Sequence, residues 1–290
     1  MIEIGQRGGF SAGIDPFGAQ LSWLKDNSGR DLLWDGDPTW WSGRAPLLFP
    51  IVGRLRNDRY RLGSREFSLP KHGFARTSAF DAVSAAADRV SFRLAASEET
   101  RPSYPFEFVL EIEFSVGLNG IVMVTTVANQ GSSPMPASFG FHPALRWPLP
   151  DAGPRAGHVL RFDEPEPEDI RRIDSDALLA GHEASPVQGR TLAVRDDLFM
   201  DDAMILTEPH SRGLRFHGPE GEGLRVEWTG LPHLAIWTKP GAPYLCIEPW
   251  HGYNDPVGFE GDFFAKPGIF VVPPAGEWRG TMSIAAGDLA

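Results

Sequence analysis

A single cysteine, Cys246, stands among 290 residues. That rules out an intrachain disulfide and any metal site built from several thiolates. Its ordinary reading is a small buried apolar side chain. The chain also lacks a basic block: 27 Lys and Arg face 38 Asp and Glu, for a net charge of −11. Such a balance argues against a nucleic-acid partner or an anionic membrane surface and suits a neutral small molecule. No apolar run approaches the length of a membrane span, and the Met1-Ile2-Glu3-Ile4-Gly5-Gln6-Arg7 start has no basic stretch leading into an apolar one, so a cytoplasmic location is expected. No His-x-His or His-x-x-x-His pair is present, which disfavours a metal centre of the common zinc spacings. A phosphate-cradling loop and a dinucleotide-binding glycine fingerprint are missing too, which leaves nucleotide and redox chemistry without an anchor. No cofactor is expected.

What is plentiful is punctuation, with 32 Gly and 26 Pro. That usage suits many short strands joined by turns. Strict alternation dominates the apolar pattern: Phe106, Phe108, Leu110, Ile112 and Phe114 share one face while Glu107, Glu111 and Glu113 take the other. Asn119-Gly120 then reads as a turn into residues 121–129, a β-branched partner, so a hairpin is predicted. Val90/Phe92/Leu94, Leu214/Phe216, Leu224/Val226/Trp228 and Leu234/Ile236 repeat the pattern. Helical signals are few, the best of them over 167–180, where Ile170, Ile173, Ala177 and Leu178 recur and Gly181 can cap the end. Residues 148–157 and 163–169 read as loops. These features predict an all-β fold, a large antiparallel β-sandwich with very little helix, as a single domain over 1–290. A closed barrel fits the same periodicity.

Three segments place ionisable residues in apolar or aromatic company. In Tyr244-Leu245-Cys246-Ile247-Glu248-Pro249-Trp250-His251-Gly252, a carboxylate sits in an apolar strand that proline is expected to stop. A carboxylate with Trp250 and Tyr253 beside it is either paired with a cation or kept dry and basic. His142, between Phe141 and Pro143, is an imidazole fixed by packing at a strand end; the plain alternative is a satisfied structural histidine. Lys71-His72-Gly73-Phe74-Ala75-Arg76 puts His72 on a glycine turn with Arg76 four residues on, as a loop over a polar ligand requires. Arg54, following Gly53 after an apolar run, either pairs with an acid or offers its N–H fork to ligand oxygens. Arg56 and Arg59 read as solvated. Most tryptophans, Trp40, Trp41, Trp147 and Trp250 among them, belong to a core by default, though one could stack on a sugar face. A Glu and two His at the ends of separate strands are the residue types that general acid–base chemistry needs.

In order along the chain, residues 46–55 (PLLFPIVGRL), His72-Gly73-Phe74-Ala75-Arg76, Phe139-Gly140-Phe141-His142-Pro143, Leu198-Phe199-Met200-Asp201-Asp202-Ala203-Met204-Ile205-Leu206 and Cys246-Ile247-Glu248-Pro249-Trp250 resemble the aldose 1-epimerase (galactose mutarotase-like) family, in its shorter branch related to the protein of lactose operons. The resemblance implies a supersandwich, an open cleft for a hexose, and cofactor-free interconversion of α and β anomers. By position Glu248 matches the general base, His142 the general acid, and His72 and Arg54 the substrate-orienting residues. The hydroxyl-binding Asp falls on Asp201 or Asp202. Galactose mutarotases carry Asn before the matching Arg where this chain has Gly53, which unsettles galactose specificity.

With reference values of about 4.3 for Glu and about 6.5 for His, base and acid coexist in a window between them. A bell-shaped rate profile is expected, its lower limb lost in Glu248→Gln. A related branch acts on hexose 6-phosphates through extra arginines, a role open to Arg44 or Arg76. Glycoside hydrolysis would need a second carboxylate, with Asp255 or Asp201/Asp202 as candidates, and would leave the histidines idle. A non-catalytic carbohydrate-binding or sensor protein would need only stacking and hydrogen bonds. The expected partner is a small sugar, and the expected assembly a monomer or weak homodimer.

Overall fold

A computed structural model describes residues 1–221 and 223–287, and it is built almost wholly of antiparallel strands. Two large open sheets carry the architecture. The first has nine strands in the order Thr191–Ala193, Val159–Phe162, Gly213–His217, Leu224–Thr229, Glu277–Ala286, Gly120–Asn129, Phe108–Val116, Arg89–Ala95 and Asp81–Ala85. The second runs Leu179–Glu183, Ile170–Ile173, Met204–Leu206, His233–Trp237, Tyr244–His251, Phe139–Phe141 and Leu47–Leu48, with Ala144–Arg146 also paired to Tyr244–His251. Open ends on both sheets make this a sandwich, not a barrel. Among the described residues the helices are four 3₁₀ turns of three or four residues.

The predicted hairpin is present, Phe108–Val116 against Gly120–Asn129, with Val116 opposite Ile121. Along Phe108–Val116 every second side chain is buried, so one face meets the core and the other stays wet. Leu110, Ile112 and Phe114 from this sheet join Phe139, Phe141, Leu234, Ile236, Leu245 and Ile247 from the other in one apolar cluster. Burying each such side chain contributes about 1.5–3 kcal/mol.

The second sheet behaves differently. Tyr244–His251 is buried on both faces from Tyr244 to Trp250. Leu245 and Ile247 point into the sandwich, whereas Tyr244, Cys246 and Trp250 pack outward against separate apolar groups, and the pleat puts Glu248 on that outer side. Small residues keep this outer floor low: Ala144 and Ala235 lie on it, and a Cβ at Gly140 would come within 2.4 Å of the Trp250 ring. The site lies here.

Two local readings are corrected. Residues 167–180 form no helix; Ile170–Ile173 and Leu179–Glu183 pair as a hairpin, turned by Asp174, whose Oδ1 accepts from the N–H groups of Asp176 and Leu178. Sheet pairing of Arg171 with Ile205 and full burial of Ile170 outweigh a short helical spacing. Pro249 likewise does not stop its strand, which runs on to His251. On the side of Phe139–Phe141 and Ala144–Arg146, pairing covers 250–251 and 244–246 and leaves 247–249 outside the ladder, so a residue without an N–H is tolerated there.

Candidate active site

The gap in that ladder creates the site. Between Phe139–Phe141 and Ala144–Arg146 the chain leaves the sheet for two residues, His142 and Pro143, and passes opposite residues 247–249. His142 Nε2 thereby comes 3.1 Å from Glu248 Oε2, with Glu248 only 1% exposed. On the other side Glu248 faces Ala235, too small to fill the space above it. A cavity of about 220 Å³ opens there, on the scale of one monosaccharide, and its wall includes Trp41, His72, Arg76, Asp202, Trp237 and Trp250.

His72 is fixed from behind. Its backbone sits at φ 68°, a left-handed conformation that costs a non-glycine residue roughly 1–3 kcal/mol. It is held there by two bonds to one glycine: His72 N–H donates to Gly53 O at 2.8 Å and Gly53 N–H donates to His72 Nδ1 at 3.1 Å. With Nδ1 accepting, the neutral ring carries its proton on Nε2 and can donate it to a ligand. Gly53 itself sits at φ 74°, and a Cβ there would fall 2.3 Å from the Asn254 amide. Asn254, which lines the cavity, therefore occupies the space that a side chain at position 53 would take.

Aromatic rings close the other side. Trp41 lies 5.0 Å from the His142 ring and 5.5 Å from Trp237. Trp34 Nε1–H donates to Trp41 O at 2.9 Å, and Lys239 Nζ donates to Trp40 O, which pins the loop.

Burial sets the proton balance. It raises the Glu248 carboxyl well above the usual range, with the Lys71 charge pulling it back and Asp202 adding to the rise. Burial also pushes the His142 imidazole down to about 3, helped by Arg76 and Lys71, and holds His72 well below its ordinary value. Each side chain of the pair thus favours its neutral form, the reverse of the order given by reference values. One dissociable proton belongs to the pair as a unit.

Of the residues anticipated from sequence, Glu248, His142, His72, Arg76, Trp250 and Asp202 line this cavity. Arg54 does not: its guanidinium forms a bidentate pair with Asp58, four residues on in the same loop, at 2.9 and 3.0 Å. Asp201 and Asp202 both line an outer groove with Phe199 and Met200, and of the two it is Asp202 that also lines the cavity. Arg44 does not line the cavity either; it donates to Ser22 O. Sequence reasoning passed over Lys71, Asn254 and Trp237. Lys71 and Asn254 adjoin the His72 and Trp250 motifs, a signal that could have found them.

Two other features compete on form alone. A larger groove of about 650 Å³ is lined by Arg56, Arg59 and Glu260 among others, but Arg56 pairs with Glu260 and Arg59 with Glu66. Gly9-Phe10-Ser11-Ala12-Gly13 has the spacing of a hydrolase nucleophile turn, yet Ser11 opens a strand within a three-stranded sheet where that turn would lead into a helix.

The aldose 1-epimerase family profile matches residues 1–257. The chain belongs to that family. Protein LacX (chromosomal) of Lactococcus lactis subsp. lactis is 32% identical over 269 residues, covering 89% of this chain and 90% of its own. A galactose mutarotase-like protein from Lactobacillus casei superposes with a TM-score of 0.92 at 28% identity, covering 99% of both chains. A galactose mutarotase related enzyme from Lactobacillus acidophilus gives 0.90 at 28% identity, over 99% of this chain and 97% of that one. Aldose 1-epimerase membership supports a sugar epimerase, an isomerase acting on carbohydrate. No helix among the described residues is long and apolar enough to cross a membrane.

Proposed function

We propose that the protein is a cofactor-independent aldose 1-epimerase that interconverts the α and β anomers of a hexose, with Glu248 and His142 exchanging the protons. The observation that carries this reading is the 3.1 Å contact between His142 Nε2 and Glu248 Oε2 on the floor of a monosaccharide-sized cavity. Ring opening removes a proton from the C1 hydroxyl and adds one to the ring oxygen. Both oxygens are bonded to C1, so donor and acceptor must stand within a few ångströms of one another. A retaining or inverting glycosidase instead needs two carboxylates about 5–9.5 Å apart, and here the nearest partner of Glu248 is a histidine.

In the forward step Glu248 acts as base and His142 as acid. After ring opening both are neutral, which is the state that burial favours, so the site leans toward the open-chain species. The aldehyde end rotates and closure returns the proton pair. Lys71, which draws the Glu248 value down, keeps the ionised form within reach. His72 Nε2–H, Asp202, Asn254 and the rings of Trp41 and Trp250 are placed to hold hydroxyls and a sugar face. Polarimetry on freshly dissolved α-glucose and α-galactose tests the proposal: catalytic amounts of protein should speed the decay of rotation on at least one of them. Binding without acceleration would support a sensor or binding protein.

The pH dependence follows from the shared proton. The pair gains a second proton only as pH falls toward about 3, where no base remains. It loses its last proton only well above the ordinary carboxylate range, where no acid remains. Accordingly kcat/KM should show no bend at ordinary carboxylate values, and its alkaline limb should be absent from the residual activity of Glu248→Gln. A wild-type profile bending near pH 4–5, at ordinary carboxylate values, would contradict this sharing.

A second reading has its own observation. Lys71 and Arg76 both line the cavity, and neither has a carboxylate within ion-pair distance among the described residues. Burial also lowers the Arg76 value. Two uncompensated cations suit a phosphorylated hexose. A kcat/KM on glucose 6-phosphate at least tenfold above that on glucose, lost in Arg76→Ala, would favour this reading; equal values would remove it.

A further inference from the structure

We propose that His142, Cys246 and Glu248 form a binding site for a soft divalent cation, Zn²⁺ in particular, and that occupancy inhibits the enzyme. Cys246 and Glu248 are two residues apart on one strand and so share its outer face, while His142 arrives from the break in the neighbouring ladder. One ligand atom from each lies within 4.8 Å of the other two, and all three residues are buried. Tetrahedral zinc, with bonds of about 2.0–2.3 Å, holds its ligands roughly 3.3–3.8 Å apart. The His142–Glu248 distance of 3.1 Å is just short of that range, so a small outward shift of the two side chains and an inward one of the cysteine would complete the set.

Two buried atoms in the cluster lack hydrogen-bond partners: Glu248 Oε2, which His142 approaches without alignment, and His142 Nδ1. Such groups are costly to leave unmatched, and a cation satisfies the carboxylate directly. Thiolate, imidazole and carboxylate together select Zn²⁺ or Co²⁺ over Mg²⁺ or Ca²⁺. Thiolate and carboxylate would also neutralise the ion's two charges, which suits a buried setting. His142 and Glu248 line the cavity, from which a fourth ligand could come.

Zinc takes thiolate and carboxylate as ligands, so binding displaces the thiol and carboxyl protons to solvent. Affinity therefore rises with pH. Inhibition rests on the catalytic reading of Glu248 and His142; cation binding does not.

Titration of the full, reduced chain with Co²⁺ separates the two. The expected result is one equivalent bound, with d–d bands of tetrahedral intensity and a near-ultraviolet thiolate-to-cobalt band, all displaced by Zn²⁺. Cys246→Ser should abolish the thiolate band, and Glu248→Gln should retain it with lowered affinity. Absence of a thiolate band in the wild type would overturn the proposal, as would its persistence in Cys246→Ser. Should Cys246→Ser fail to fold, the Glu248→Gln titration decides alone: unchanged affinity excludes the site. Zn²⁺ should also slow mutarotation, reversibly with chelator. A cobalt spectrum as expected with no mutarotation on any sugar would retain the site and remove the catalytic reading.

Discussion

Glu248→Gln is expected to lower the rate of anomer interconversion by about 10²–10⁴-fold, the usual worth of a positioned general base, or about 3–5 kcal/mol of barrier. Gln preserves the shape and can hydrogen-bond His142, yet it cannot take the C1 hydroxyl proton. The loss should therefore fall on kcat with little change in KM. The fold should survive, because burial already favours the neutral carboxyl and an amide asks for no more desolvation. Polarimetric kinetics beside a thermal melt check both halves. Glu248 and His142 act on one proton pair, so the double variant with His142→Gln should be little worse than either single variant. A Gln variant with wild-type kcat would remove Glu248 from the chemistry.

Lys266→Met is expected to cost about 3–5 kcal/mol of stability, the range for removing one partner of a buried ion pair. The Lys266 side chain has no exposed surface and Asp255 only 5%, with Nζ 2.9 Å from Oδ1. Nζ also donates to Tyr253 O at 2.7 Å, and Asp255 Oδ2 accepts from the Arg56 N–H at 2.9 Å. Burial lowers the Lys266 value and the Asp255 charge offsets it. Without the ammonium a carboxylate is left dry with one backbone donor. Adding Asp255→Asn should recover most of the loss, since an amide oxygen can still accept from Arg56. Denaturant titration of the three variants checks this through a shifted midpoint at constant slope. A shift under about 1 kcal/mol for Lys266→Met would place the pair among those of little net worth. The pair also anchors Asn254 at the cavity wall, so a fall in sugar affinity is expected to accompany the lost stability.

Glu248 and His142 were legible because each breaks a local expectation: a carboxylate in an apolar strand, and an imidazole set between phenylalanine and proline. The Asn119-Gly120 hairpin was legible for the same kind of reason, since alternation and turn chemistry are written in neighbouring residues. Residues 167–180 misled because a few helical spacings weigh less than the sheet pairing of Ile170–Ile173, which no local pattern records. Arg54 misled because its competing partner, Asp58, stands four residues away in the same loop. Asp202, with φ 67°, lines the cavity and Asp201 does not, a distinction that two adjacent aspartates do not carry in sequence.

The sequence alone determined the all-β class, the strand faces and the two residues with anomalous surroundings, because burial periodicity is a short-range property of the chain. The tertiary structure alone decided that His142 meets Glu248 and Cys246, that Asn254 fills the space beside Gly53, and that burial reverses the ionisation preferences of acid and base. Those outcomes depend on sheet register and on the desolvation produced by strands distant in sequence, and neither is encoded within any one window of residues.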